Sequence, residues 1–147
     1  MKRLICLLVL ATSTLLIPSC GKDAEMDYTT PRPNFKYDIA ELYGIWETTE
    51  VYKSTDNEWA TTSGDNSMYY FKVRFHKDNS YILNGAAYNE AGVFDLSGTI
   101  IETYVDKKLT AEYNISTLEG GAMEVTKVFG TMTVKYKMQR IYHDSNI

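Results

Sequence analysis

Residues that commonly carry chemistry are sparse in this 147-residue sequence and follow no catalytic spacing. The two histidines, His76 and His143, are 67 positions apart, and the two cysteines are Cys6 and Cys20. The short motifs that bind zinc through paired histidines or cysteines, or that cradle a phosphate with glycines, are absent from the sequence. The sequence therefore predicts neither an enzyme nor a protein that needs a metal or another cofactor.

The side chains that could contact a ligand are one acid and a set of tyrosines. Glu50 shares the parity of Trp46 along a predicted strand. It either points inward, where it would need a partner such as Arg140 or a tyrosine hydroxyl because an unpaired buried charge is costly, or it swings outward or lies near the mouth of the fold. Tyrosine rings either fill a small core or line a pocket for a sugar or a lipid. The tyrosines on the inward-reading parity are Tyr52, Tyr69, Tyr81, Tyr113 and Tyr136.

The two tryptophans are expected to differ in role. Trp46 opens a strand in "GIWETTE", where a buried ring of this size would contribute roughly 4–6 kcal/mol as a structural plug. Trp59 lies in the polar segment "STDNEWATTSGDNS", which we expect to be a loop outside any strand. There it either binds a ligand at the open end of the fold or packs over that end. The candidate ligand-binding residues are thus Glu50, Tyr52, Trp59, Tyr113 and Tyr136.

Period-two alternation of apolar and polar residues predicts that the domain is almost entirely β-structure. The segment "TMTVKYKMQRIY" shows it best, because Met132, Val134, Tyr136 and Met138 share one face and polar residues occupy the other. One wet face is typical of an antiparallel sheet. Turn residues divide the chain into eight predicted strands, at 45–53, 68–76, 80–84, 91–96, 99–105, 110–118, 122–129 and 131–142.

Short connections between these strands favour a meander, because elements adjacent in sequence are usually adjacent in space. Eight meandering strands close most simply as an antiparallel up-and-down barrel, which also removes exposed sheet edges. A short helical turn is predicted before the first strand in "YDIAELYG", with Asp38 as its N-cap and Gly44 as its end. The fold class is therefore an all-β barrel that occupies residues 37–147.

Residues 1–19 are typical of a secretory signal peptide. Lys2 and Arg3 precede an apolar stretch from Leu4 to Ile17. At about 1.5 Å per residue this stretch is too short for the roughly 30 Å hydrocarbon core of a bilayer. The sequence therefore predicts export and removal of the segment rather than a permanent membrane helix.

The residues "IPSC" that end this segment resemble the lipobox of bacterial lipoproteins. The resemblance implies that the Cys20 thiol receives a lipid, with acyl chains such as palmitate, and that Cys20 becomes the first residue of the mature chain. The alternatives are a free thiol or a disulfide. A disulfide would need Cys6, which lies in the segment to be removed, so lipidation is favoured.

Residues 20–36 are predicted to be the lipid anchor and a flexible tether, because "GKDAEMDYTTPRPN" is polar and ends in prolines. Lys22-Asp23 with Glu25 resembles the signal that sends some Gram-negative lipoproteins to the outside of the outer membrane; the alternative is a plain solvated linker. We expect a protein anchored by lipid to the outer membrane, facing either the periplasm or the outside.

Net charge excludes one class of partner. The chain has 15 basic and 19 acidic residues, and removal of Lys2 and Arg3 leaves 13 against 19, a net charge of −6. Nucleic-acid binding requires a basic patch, so no nucleic-acid partner is expected. Attachment to the membrane would depend on the acyl chains, since each buried CH₂ contributes about 0.8 kcal/mol.

Gly44-Ile45-Trp46, between a helical turn and the first strand, is similar to the Gly-x-Trp signature of lipocalins. In that family the tryptophan closes the floor of an eight-stranded barrel, and a basic residue near the end of the last strand packs across its ring. Arg140 matches that basic residue in position and chemistry. The resemblance implies a lipocalin-like barrel whose structural floor consists of Gly44, Trp46 and Arg140.

Two functions from different classes follow from these expectations. The first is a binding protein for a small apolar or amphipathic ligand, held inside the barrel or at its mouth. The second is an interaction module: a solid barrel that binds an envelope protein or a glycan through its surface or the Trp59 segment. A cavity of about 300 Å³ or more would favour the first.

Overall fold

The computed structural model describes residues 34–144, within which the chain forms one short α-helix and nine strands. The helix α1 spans Ile39–Leu42, and a 3-10 helix spans Gly64–Tyr69. The strands are β1 Gly44–Lys53, β2 Glu58–Thr61, β3 Phe71–Phe75, β4 Ser80–Gly85, β5 Asn89–Ser97, β6 Ile100–Val105, β7 Lys108–Glu119, β8 Ala122–Phe129 and β9 Met132–His143. All eight predicted strands are present.

Eight of these strands close into an antiparallel barrel, which confirms the predicted fold class. From β3 to β9 each strand pairs with the next along the chain, and β1 pairs with both β3 and β9. Trp46 of β1 consequently lies opposite Val73 of β3 on one side and Arg140 of β9 on the other. Closure satisfies the backbone groups that a flat sheet would leave unpaired at its edges.

The ninth strand, β2, was not predicted from the sequence. It pairs with the second half of β1, from Glu50 opposite Thr61 to Lys53 opposite Glu58. Trp59 lies in this strand, so the expectation of a loop outside any strand was wrong. A short, largely exposed strand needs no apolar alternation, and the polar composition of residues 54–67 therefore concealed it.

A β-bulge in β1 changes which residues face the interior. The register with β9 shifts between Thr48 and Glu50, which places one extra residue in β1. A bulge of this kind reverses the side-chain parity that follows it. Val51 is therefore buried, whereas Glu50 and Tyr52 lie on the outer face. The inward orientation predicted for Tyr52 was wrong, and Glu50 takes the outward one of its two expected orientations.

Helix α1 covers one end of the barrel, which we call the floor. Asp38 caps the helix, since its carboxylate accepts a hydrogen bond from the amide of Ala40 at 2.9 Å. Leu42, the last residue of the helix, and Trp46 of β1 are both fully buried, and the indole Nε1 of Trp46 donates to the carbonyl of Leu42 at 2.7 Å. This bond ties the first strand to the helix that precedes it.

Arg140 joins the last strand to the floor. Its guanidinium carbon lies 5.6 Å from the centroid of the Trp46 ring, and its Nη1 donates to the carbonyl of Glu41 at 2.7 Å. Gly44 allows the close approach of β1 and β9: its φ is +133°, and a Cβ there would lie 2.0 Å from the carbonyl oxygen of Tyr142. The floor therefore requires the absence of a side chain at Gly44 as well as the packing of the Trp46 and Arg140 side chains.

Aromatic rings occupy the centre of the barrel. Phe75 and Phe94 meet edge to face with centroids 5.1 Å apart, and Phe71 meets Tyr136 in the same way at 5.2 Å. Tyr113 contacts both phenylalanines of β3 at 6.4 Å. Edge-to-face packing is a preferred arrangement of aromatic pairs. A deep central ligand site is therefore not favoured.

The folded region extends to Asn34. The amide of Lys36 donates to the carbonyl of Gly98 at 2.8 Å, and the amide of Gly98 donates to the carbonyl of Asn34 at 3.0 Å. Residues 34–36, which the sequence placed in the tether, thus pack on the β5–β6 turn. The predicted signal peptide, Cys20 and the rest of the tether lie outside the described residues. Between residues 34 and 144, no helix is long and apolar enough to cross a bilayer.

Candidate functional site at the barrel mouth

The barrel end opposite α1, which we call the mouth, is bounded by the 3-10 helix and by the β4–β5, β6–β7 and β8–β9 turns. Three large apolar side chains at this end are between 40% and 65% exposed; they are Met68, Tyr88 and Met132. We call these three residues the rim. Leu109 is also exposed at this end but faces the outer wall, because it lies opposite Tyr104, which alternates with the buried Thr103. Exposed apolar side chains commonly mark a binding surface, so the rim directs attention to the groups just below it.

Lys127 lies below the rim and is 2% exposed, although lysine is rarely buried. The alternation of β8 sends it inward after Met123 and Val125, which are also buried. Four aromatic rings surround its ammonium group, with Nζ-to-centroid distances of 4.4 Å to Phe71, 5.0 Å to Tyr113, 5.2 Å to Phe129 and 5.3 Å to Tyr88. We call this arrangement the cage. Ring faces attract a cation, which partly offsets the loss of water around it.

The ammonium of Lys127 is incompletely compensated. Nζ donates one hydrogen bond, to the hydroxyl of Tyr88 at 2.7 Å, whereas an ammonium has three donors. Among residues 34–144 no carboxylate forms an ion pair with it within 4.0 Å. Burial lowers the pKa of Lys127 from its ordinary value of 10.5 to about 8, and Glu90 acts in the opposite direction at longer range.

Glu90 faces the same space from β5 but is held by other partners. Its Oε1 accepts hydrogen bonds from the hydroxyl of Tyr81 and from that of Thr110, the latter at 2.8 Å. Burial and then the bond to Glu90 raise the pKa of Tyr81, which therefore stays a donor. The mouth thus contains a cation and an anion, each held by hydroxyl groups rather than by the other.

Tyr113 supplies a second incompletely satisfied group in the cage. It is 1% exposed, and its hydroxyl has no hydrogen-bond partner among the described residues. Burial raises its pKa well above the ordinary value, so the hydroxyl remains protonated and able to donate. A buried hydroxyl without a partner costs about 1–3 kcal/mol. Such a group in a native fold calls for a partner, and the Lys127 ammonium beside it cannot accept.

The structure divides the sequence-predicted candidates between two places. Tyr113 lies in the cage, and Tyr136 is buried next to Phe71, while Tyr81 holds Glu90. Tyr69, which was predicted to face inward from the strand at 68–76, is instead half-buried in the 3-10 helix, because that strand begins only at Phe71; the prediction of a strand position for Tyr69 was wrong. The remaining candidates, Glu50, Tyr52 and Trp59, lie together on the outer wall.

These outer-wall residues form a small aromatic and ionic patch. Tyr52 and Trp59 meet edge to face at 5.4 Å, and the ammonium of Lys137 lies 4.5 Å from the Trp59 ring centroid. Lys137 also pairs with the carboxylate of Glu50 at 2.6 Å. Lys135 lies over Tyr52 at 5.4 Å. Glu50, Tyr52 and Trp59 therefore each already contact another side chain of the outer wall.

A groove of about 410 Å³ continues from this patch along the outer wall. It is lined by Thr49, Thr117, Gly121, Glu124, Lys137 and Gln139, among others. Lys137 belongs to both the groove and the patch. The volume of the groove exceeds the roughly 300 Å³ of a small-molecule site, but the groove lies on the outer wall and not inside the barrel, so it favours surface interaction rather than an internal ligand.

Sequence reasoning missed Lys127, Tyr88 and Glu90. A signal for Lys127 was present, because it continues the inward alternation of Met123 and Val125, but burial of lysine is rare enough to argue against it. Tyr88 lies in a turn, where alternation of apolar and polar residues predicts no orientation. Glu90 precedes the predicted strand at 91–96, so its inward orientation follows only from the observed pairing of β5 with β4. Within residues 34–144, no three histidine, cysteine or acidic side chains group as a metal site would require.

Comparison of this chain with protein-family models, with curated proteins and with solved structures finds no match. The structure by itself shows an eight-stranded antiparallel barrel that is compatible with a lipocalin-like fold. The mouth, the cage and the outer wall are therefore the features of the molecule that bear on its function.

Proposed function

We propose that this protein is a lipocalin-like, lipid-anchored protein of a bacterial outer membrane that binds a small apolar or amphipathic ligand at the barrel mouth. It acts by binding rather than catalysis. The observation that carries the proposal is the cage: a lysine buried to 2% exposure beside an unpaired buried hydroxyl, directly below an apolar rim. Both buried groups cost folding free energy in the free protein. Retention of such groups is expected where a ligand satisfies them.

The mouth is favoured over a deep cup because packed rings occupy the barrel centre. The rim supplies apolar contact area, and the groups below it supply polar contacts. Binding sites for small molecules commonly combine a mainly apolar wall with a few placed polar groups. Tyr88 belongs to both sets, since it is 40% exposed at the rim and its hydroxyl reaches Lys127.

Binding at the mouth can be tested with N-phenyl-1-naphthylamine, a neutral apolar dye that fluoresces when it leaves water. We expect saturable binding of one dye per protein. Replacement of the exposed rim residue Met132 with Asn should weaken binding about fivefold, equivalent to roughly 1 kcal/mol of lost apolar contact.

Ile82→Asn is the matched control, since Ile82 is 44% exposed on the outer face of β4 and Met132 is 55% exposed at the mouth. It removes a similar apolar side chain and should leave dye binding unchanged. Absence of saturable binding to the unmodified protein, or equal loss in both variants, would contradict a ligand site at the mouth.

The lipid-anchor part of the proposal is tested at Cys20. Cys20→Ala removes the thiol that would carry the lipid, so the variant should appear in the soluble fraction after cell lysis, whereas the unmodified protein should sediment with membranes. Cys20→Ala protein that still sediments after a high-salt wash would show that attachment does not depend on this residue. A Cys6→Ala variant controls for loss of a thiol, and it should remain in the membrane fraction.

The outer wall supports a second candidate function, a surface interaction module for a glycan or an envelope protein. The specific observation is the continuity of the groove with Trp59 and Tyr52 through Lys137. Aromatic side chains with nearby polar groups suit both kinds of partner. This function would be lost in Trp59→Ala, whereas dye binding at the mouth would persist.

A further inference from the structure

We infer that the ligand is an amphipathic carboxylate that binds head-inward, with its carboxylate between the ammonium of Lys127 and the hydroxyl of Tyr113 and its apolar part along the rim. The inference rests on the proposed function and deepens it, because it assigns the chemistry of the ligand's head group and its direction.

The cage has surplus donors: two of the three N–H groups of Lys127 and the hydroxyl of Tyr113 lack acceptors among the described residues. A ligand that satisfies them must bring acceptor atoms. An ionised carboxylate is acceptor-only and has two oxygens, one for each donor group. Its charge also pairs the buried ammonium, and such charge-assisted bonds are about twice as strong as neutral ones.

Tyr88 shows where a ligand oxygen would sit. Its hydroxyl oxygen lies 2.7 Å from Nζ of Lys127, the distance expected for a bound carboxylate oxygen. Tyr88 is in the turn between β4 and β5 and is 40% exposed, so its ring can swing outward without disturbing the strands. We therefore assign Tyr88 as the group that the carboxylate displaces.

Glu90 limits the position of the head group. Its carboxylate is held against Tyr81 and Thr110 on the opposite side. A second anion would be repelled on that side and attracted on the Lys127 side. The polar groups therefore orient the head group toward β8, and the exposed apolar rim residues Met68 and Met132 are left for the tail.

Calorimetric titration of the full-length protein with dodecanoate and with dodecan-1-ol, each below its aggregation limit, tests the inference. The two probes share a tail and differ in the head group. We expect dodecanoate to bind at least tenfold more tightly than the alcohol. In Lys127→Met, dodecanoate should lose roughly 10- to 100-fold in affinity, as for a bond to a charged group, while the alcohol should be little affected. Lys135→Met, on the outer wall, should bind both as the unmodified protein does.

Tyr113→Phe provides a second, nearly isosteric variant. Removal of one neutral donor should weaken dodecanoate about three- to tenfold and leave the alcohol unchanged. Tyr88→Phe should have the opposite effect and tighten dodecanoate, because the competing oxygen is removed.

The dependence on pH gives an independent readout. The titratable groups that face Lys127 are Tyr88 and Tyr113 in the cage and Glu90 across the mouth, with Tyr81 and Tyr136 nearby. Burial raises the pKa of all four tyrosines, so they stay neutral as the pH rises. Lys127, with a pKa of about 8, loses its charge between pH 7 and pH 9.5. Dodecanoate affinity should fall over that range, and dodecan-1-ol affinity should stay constant.

Two failures can be told apart. If dodecanoate and the alcohol bind equally and Lys127→Met affects neither, the head-group assignment is wrong and the apolar mouth site stands. If neither probe binds the unmodified protein, the proposed function fails and the head-group assignment fails with it.

Discussion

Replacement of Trp46 with Ala is expected to lower the free energy of unfolding by about 3–5 kcal/mol, as for other fully buried aromatic residues. Trp46 is fully buried, and the change removes its packing, its bond to the carbonyl of Leu42 and the ring beneath Arg140. A domain of this size has only about 5–15 kcal/mol of stability. Urea unfolding followed by circular dichroism should therefore show a much lower midpoint or an unfolded variant.

Trp59→Ala is the matched control, because it removes the same side chain from the half-exposed outer wall. Its cost should be about 1 kcal/mol, the value of an edge-to-face contact. Arg140→Ala should cost less than Trp46→Ala, and the double variant should cost less than the two single changes together, because their side chains touch. A stable Trp46→Ala protein beside an unfolded Trp59→Ala protein would reverse the structural roles assigned to the two tryptophans.

Lys127→Met is expected to stabilise the protein by about 1–3 kcal/mol at pH 7, although it removes a buried side chain. Apolar replacement of buried charged groups is often neutral or stabilising by a similar amount. Methionine fills a comparable volume and adapts to an irregular space among aromatic rings. The ring contacts and the Tyr88 bond lost with the ammonium keep the gain below the full cost of burial.

The advantage of the Lys127→Met variant should shrink as the pH rises. The folded-state pKa of Lys127 is about 8 and the ordinary value is 10.5, so folding disfavours the charged form. Above pH 10.5 the lysine is neutral in both states and the cost is absent. The cost appears as the pH falls from 10.5 to 8 and is then complete, at roughly 3 kcal/mol for that pKa difference. Urea unfolding of both proteins at pH 7, 8, 9 and 10 measures the change.

Lys135→Met controls for the loss of one positive charge, since Lys135 lies on the outer wall over Tyr52. The difference in free energy of unfolding between Lys135→Met and the unmodified protein should not shrink as the pH rises. If Lys127→Met instead destabilises the barrel at every pH, the lysine is a structural residue, and the argument that a ligand accounts for its burial fails.

The fold could be predicted from the sequence because the barrel strands alternate clearly. In β9, Tyr136 and Met138 are buried while Lys135 and Gln139 are exposed, as the pattern indicates. The limits of the prediction are local. One bulge after Thr48 reversed the parity of Tyr52, and no residue type in "TTEV" signals such an insertion.

The candidate site was only partly predictable. Tyr113 was among the candidates because of its inward parity. The sequence could not show that its hydroxyl lacks a hydrogen-bond partner, because that depends on which groups the fold places near it. Lys127 and the neighbouring residues Tyr88 and Glu90 come from two distant parts of the chain, and only the closed register brings them to one end of the barrel. Burial of a lysine is also contrary to the residue's usual preference, and such exceptions tend to occur at functional sites.

Native mass spectrometry of the protein purified from its own cell envelope tests the central claim most directly. The unmodified protein and Lys135→Met should each retain one small amphipathic molecule, which dissociates as a carboxylate anion on activation. Lys127→Met purified in the same way should carry much less of it. Unmodified protein without a bound molecule, or the same molecule retained equally by Lys127→Met, would contradict the account of the cage as the ligand's head-group site.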